Sequence, residues 1–233
     1  MSGEIIIARR FRGPSESGNG GYVAGMLAQS LGGPVAVRLK APPPLETSLR
    51  IEISAEQASL LHGDKVVAEA RGREPAVEPP LCPSFADAER ASRSSAVWVS
   101  HPLPECFVCG TQRANDGGLQ IFAGALGGGI YAATWVPDSS LCDGEGHARP
   151  EFIWSALDCP GGFAVNPKGD LILLGELCAR IDGTVDQGER YVVAGWPLGN
   201  EGRKRYAGSA VFSESGRLVG VGRATWIQVT QSN

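Results

Sequence analysis

Apolar and polar residues alternate along most of this chain and recur at helical spacing in only two long stretches, so the pattern predicts many strands around few helices. Residues 4–11 read as a first strand, which the turn formers from Gly13 to Gly21 cannot continue. Residues 22–31 follow as a helix, with Asn19 as a candidate N-cap and Gly32-Gly33 as its stop. Strands are expected at 35–40 and 48–53, separated by prolines 42–44, and a hairpin at 58–72 turns on Gly63-Asp64. Residues 73–105 lose periodicity and carry prolines at 75, 79, 80, 83, 102 and 104, which predicts a linker across the surface with a short helix near 84–93. Beyond it the first pattern returns. Strands are expected at 119–122 and 129–136, a helix at 151–165, strands at 171–182 and 189–196, and a long hairpin over 204–212 and 217–228.

That return reads as an internal repeat. Sliding the first helix onto the second places Leu27 on Leu157 and Ala28 on Asp158. In the same strand positions, Ser48 to Ile53 falls on Arg190 to Gly195, Lys65-Val66-Val67 on Arg217-Leu218-Val219, and Arg71-Gly72 on Arg223-Ala224. Identity is weak, but the order of elements agrees throughout. The expected architecture is α+β: two copies of a twisted antiparallel sheet, each wrapped around a central helix, pairing as a pseudo-dimer. Residues 1–73 form one copy, 74–105 the linker and 106–233 the other.

The second helix carries one residue that breaks its pattern. Phe152, Ile153, Ala156, Leu157, Pro160 and Phe163 recur at roughly helical spacing and predict a buried helix, yet Asp158 sits among them. A carboxylate with apolar neighbours is costly unless paired. Either Asp158 turns to water or caps a local break at Cys159, Pro160 and the glycines after them, or the helix carries an acid into a cleft.

Composition narrows the function classes. With 42% hydrophobic and 20% charged residues, and no apolar run near the ~20 residues of a membrane span, the chain reads as globular with no membrane partner. The opening residues lack the basic and long apolar regions of a secretory signal, and a reducing cytoplasm suits the six cysteines. A formal net charge of -4 gives no footprint for nucleic acid. The local run Arg203, Lys204 and Arg205 suits a small anionic ligand better than a duplex, although solvated charge on a hairpin is its commoner meaning. Cys106 and Cys109 are the one cysteine pair at metal or redox spacing. A zinc site needs about four ligands, and Cys82, His101, Cys142 and His147 complete one only by folding together. The simpler reading is a turn holding two buried thiols, with no metal and no cofactor.

These motifs together resemble a known family. Asn19-Gly20-Gly21 before an Ala-rich helix resembles the His-Gly-Gly helix start of hotdog thioesterases of the phenylacetate-pathway type. Leu157-Asp158 stands where that family carries its acid, and Cys106-Phe-Val-Cys109-Gly before a Gly-Leu segment resembles a stretch found in small hotdog proteins. Two fused copies resemble the double-hotdog acyl-CoA thioesterases. The resemblance implies an acyl-CoA or other acyl thioester as partner, hydrolysed across the interface between two hotdogs. A carboxylate on one helix acts as nucleophile or general base, and N–H groups at the start of the facing helix polarise the carbonyl.

The repeat then implies a single composite site. Asp158 has Ala28 as its counterpart, so the first copy lacks an acid. Gly20 and Gly21 open the first helix with free donors, whereas Pro150 and Glu151 open the second with a missing N–H and a negative charge. Two departures from the family stand out: Asn19 replaces its histidine, and Pro160 is expected to kink or end the helix just beyond the acid. The rival is a binding protein on a degenerate scaffold, with Tyr22, Met26, Phe152, Trp154 and Phe163 lining an acyl tunnel and Arg203, Lys204 and Arg205 meeting CoA phosphates. The same apolar side chains read equally as plain core. His62, His101 and His147 lie off the expected helices, which argues against a hydratase, and no Gly-x-Ser-x-Gly elbow is present. The sequence leaves open whether two such chains associate as a homodimer, which would make a four-hotdog assembly.

Overall fold

Helix α1 (Gly20–Ala28) starts where the Asn19 side chain accepts the Tyr22 N–H at 2.9 Å, so the expected cap is in place. It stops before Gly32 and Gly33, whose φ angles of +70° and +65° favour glycine. The computed structural model describes residues 2–113, 117–167 and 169–229. Ahead of α1 comes β1 (Ser2–Ile6), shorter than the sequence pattern predicts because Arg9–Phe11 turn into a 3-10 helix. After it come β2 (Val35–Leu39), β3 (Ser48–Ile53), β4 (Gln57–His62) and β5 (Lys65–Gly72), close to their expected positions. Helix α2 (Phe85–Arg93), capped by Ser84, is the short helix expected in the linker. The rest is β6 (Gly124–Gly127), β7 (Ile130–Trp135), α3 (Pro150–Ala156), α4 (Cys159–Val165), β8 (Ile172–Ile181), β9 (Tyr191–Glu201), β10 (Lys204–Ser213) and β11 (Leu218–Gln228).

The strands join one antiparallel sheet in the order β1-β3-β4-β5-β2-β8-β11-β10-β9-β7-β6. Outwards from the central β2–β8 pair, the order is β2-β5-β4-β3-β1 on one side and β8-β11-β10-β9-β7 on the other, with β6 beyond. Backbone bonds recur on the two sides at one constant step. The Asn19 N–H donates to the Phe11 carbonyl and the Arg149 N–H to Leu141, while Gly13 bonds Ser17 as Asp143 bonds His147.

Helices α1 and α3 lie antiparallel and in direct contact within the main core. Gly21 and Gly25 permit this. A Cβ on Gly21 would stand 2.7 Å from the Asp158 Cβ and 2.8 Å from the Trp154 carbonyl oxygen, and one on Gly25 would stand 2.6 Å from the Glu151 Cα. Both obstacles include backbone or the root of a side chain, which cannot swing away.

Three expectations need correction. The helix at 151–165 is two helices: the kink expected at Pro160 becomes a full break at the acid, because Asp158 leaves helical geometry at φ −77°, ψ −82° and Pro160 has no N–H to carry the ladder on. The carbonyl freed at Leu157 is taken by Ser209 Oγ at 2.6 Å. Residues 119–122 form no strand. Leu119 and Ile121 are buried, but their N–H groups bond the Phe107 and Val108 carbonyls at 2.9 Å, so the segment is held to the cysteine turn instead of the sheet. The Pro-rich linker is also more than a surface crossing. Val77, Cys82, Phe85 and Ala88 cover Ala132, Val192, Ala194, Trp196 and Phe212, which explains why residues 191–196 are buried on both faces with no alternation. Among the described residues no helix is long and apolar enough to cross a membrane.

Replacing Gly25 by valine should destabilise the fold by about 3 kcal/mol, since overpacking against backbone cannot relax. Gly3→Ala, whose new Cβ meets nothing within 4 Å, should change it by less than about 0.5 kcal/mol. Urea unfolding of both variants against the parent checks the contrast.

Candidate active site

The break between α3 and α4 turns Asp158 toward the start of α1. Its carboxyl is only 2% exposed, and its Oδ2 accepts both the Gly21 N–H and the Asn19 Nδ2–H, each at 2.9 Å. Oδ1 is buried with no hydrogen-bond partner among the described residues. Burial, and next the neighbouring Cys106 sulfur, push the Asp158 carboxyl up to about 7 against the downward pull of its two bonds. Asn19 therefore works in both directions, its Oδ1 capping α1 and its amide holding the acid.

Where the same backbone bonds recur at the start of α3, Arg149 precedes Pro150 and Glu151. The Glu151 carboxylate is buried, paired with Arg149 at 3.3 Å and with Gln29 Nε2 at 3.2 Å. An acid therefore meets a helix start at both ends of the α1–α3 contact and accepts a side-chain amide N–H at each, but among the described residues only Asp158 is also held by a main-chain N–H. The Gly20 N–H, the first of α1 and half-buried, has no acceptor among the described residues.

Of the remaining expected site residues, Tyr22 stacks on Phe11 with centroids 4.2 Å apart and packs near Phe107 and Phe152. Burial and the nearby Glu151 raise its hydroxyl to about 12. Trp154 is buried against Gly25, Met26 packs half-buried on the core, and Phe163 faces the His101 ring. Arg203, Lys204 and Arg205 lie at the β9–β10 hairpin, where Arg205 bonds the Gly202 carbonyl and Gln228. Lys204 lines a cleft of about 700 Å³ together with Arg38, Arg73 and Arg223, and this cleft shares no lining residue with the Asp158 site.

A second feature adjoins the acid. The sulfurs of Cys106, Cys109 and Cys159 lie within 4.8 Å of one another, and all the cysteines are free. The bonds Cys106 receives from Cys109 and Cys159 hold its thiol well below the usual range. The sequence pattern marks Cys106 and Cys109 but passes over Cys159, which stands at no metal spacing from either. Its one signal is adjacency to Asp158.

Structures similar to this one are those of a tesB protein from Mycobacterium avium subspecies paratuberculosis, a proposed thioesterase from Novosphingobium aromaticivorans and a proposed thioesterase II from Thermobifida fusca. They are 12%, 13% and 12% identical, cover 98% of this chain in each case and 93%, 96% and 92% of their own, and superpose with TM-scores of 0.62, 0.65 and 0.64. The chain has the hotdog fold. No protein-family model and no curated protein matches its sequence. On this hotdog scaffold the acid and the glycine helix start, far apart in sequence, become hydrogen-bonded neighbours.

Asn19→Ala removes the cap and one of the two donors to a buried acid, and should cost about 2 kcal/mol. Asn19→Asp keeps the cap oxygen but sets a second carboxyl against Asp158, and should cost more at neutral pH. Chemical denaturation at pH 7 ranks the two.

Proposed function

We propose that the chain is an acyl thioester hydrolase made of two fused hotdog units, 1–73 and 106–233, with one site between their central helices. The two-unit reading is supported by the matching strand orders on either side of β2–β8 and by the backbone bonds that recur at the starts of α1 and α3. The observation that carries the chemistry is Asp158, buried at a helix break with one oxygen held by Gly21 and Asn19 and the other unpartnered.

In this reading Oδ1 takes a proton from water as the water oxygen attacks the thioester carbon. The developing oxyanion is met by N–H groups at the α1 start, from Gly20 and from Gly21 once the carboxyl yields its bond. Collapse of the intermediate breaks the carbon–sulfur bond, and the departing thiolate recovers the proton from Asp158. Asn19 moves no proton; it holds the acid in place. The substrate in this reading is an acyl-CoA or another acyl thioester, with Tyr22, Met26, Trp154 and Phe163 as the apolar wall of the site and, for CoA, Arg203, Lys204 and Arg205 as phosphate contacts.

One observation favours a second reading. The Gly21 N–H is already occupied by Asp158, and Asp158 is almost wholly enclosed, as suits a binding module that has lost turnover. Thiol release from short, long and aromatic acyl-CoAs separates the two. The hydrolase reading expects release by the parent and a loss of about 10²–10⁴-fold in Asp158→Asn, with an unchanged melting temperature. Thermal stabilisation by acyl-CoA with no release would leave a binding module, and silence in both measurements would sink both readings.

A further inference from the structure

The three converging thiols lie outside the hydrolysis scheme, and their arrangement is that of a metal site. We infer that Cys106, Cys109 and Cys159 hold a zinc ion that ties the turn just after the linker to the first turn of α4. The inference does not depend on the hydrolase reading.

The first argument is the turn. Cys106-Phe107-Val108-Cys109-Gly110 closes with the Gly110 N–H on the Cys106 carbonyl at 2.8 Å, and a Cβ on Gly110 would stand 2.5 Å from that oxygen. The turn sets Cys106 and Cys109 at the two-residue gap that metal-binding turns use, with both sulfurs in one cluster.

The second argument is distance. Cys159 brings a third sulfur to 3.8 Å from Cys106 and 3.3 Å from Cys109. Zinc–sulfur bonds of about 2.3 Å in a tetrahedron set sulfurs about 3.8 Å apart, so small adjustments admit the ion. Soft thiolates select zinc over magnesium or calcium.

The third is the surround. His101 Nε2 lies 3.2 Å from the Cys109 sulfur, while its Nδ1 accepts the Leu103 N–H at 3.0 Å. That bond places the ring proton on Nε2, so His101 donates to a thiolate instead of binding the ion, as outer-shell groups do. The Asn19 amide, 3.8 Å from the Cys106 sulfur, adds another donor. The ligand set is therefore three thiolates, with the fourth place left to water.

The test uses the full chain expressed in zinc-supplemented medium and purified without chelator. Elemental analysis should find one zinc per chain, and cobalt substitution should give intense tetrahedral d–d bands with a thiolate-to-cobalt charge-transfer band. Cys106→Ser, Cys109→Ser and Cys159→Ser should each weaken zinc retention against a competing chelator by more than about ten-fold, while Cys82→Ser and Cys142→Ser should leave it unchanged. Because a serine variant can fail to fold, the parent decides. Background zinc with only an aqua-cobalt spectrum overturns the inference, as does a Cys109–Cys159 disulfide in the purified chain, or equal zinc loss in the Cys82 and Cys142 controls.

Discussion

The close approach of α1 and α3 governs this molecule. Gly21 and Gly25 strip one face of α1 to backbone, so α3 can lie against it with no side chain between them. Packing at this distance buries whatever stands at the crossing, and what stands there is an acid, an amide and a row of main-chain N–H groups. A wider helix pair would admit water, and the Asp158 carboxyl would then titrate like an exposed one.

Burial is what gives Asp158 its character. A carboxyl stripped of water with one oxygen bound and the other unpartnered among the described residues is costly to ionise. The other end of the same contact resolves the conflict differently. There Glu151 stands at a helix N-terminus and pairs with Arg149 and with the Gln29 amide. The two ends of one helix contact thus hold their acids with different partners.

The linker makes this arrangement possible in two ways. Its first part covers the outer face of β7, β9 and β10, so that sheet is apolar on both sides beneath α4. Its end delivers the cysteine turn to the flank of Asp158, where Cys106 raises the acid and Asn19 touches both. A segment that looks like a connector in composition therefore supplies core on one side and polar surroundings on the other.

Much of this was legible from the chain alone, because strands and helices announce themselves by period and turn chemistry. The alternation at 48–53, the Gly63-Asp64 hairpin, the Asn19 cap and the short helix after Ser84 all follow from local rules and appear where those rules place them. Asp158 stood out for the same reason, as a charge in an apolar stretch. Tertiary structure decided the rest. Pro160 signals a break near the acid, but only packing against Ser209 and the sheet places that break at Asp158 itself. Residues 119–122 have strand composition but lose their N–H groups to the cysteine turn. Cys159 joins Cys106 and Cys109, and Asp158 joins Asn19 and Gly21, through contacts that span most of the chain and leave no local trace. Sequence patterns report what each residue prefers among its neighbours in the chain; a site is made by residues that become neighbours only on folding.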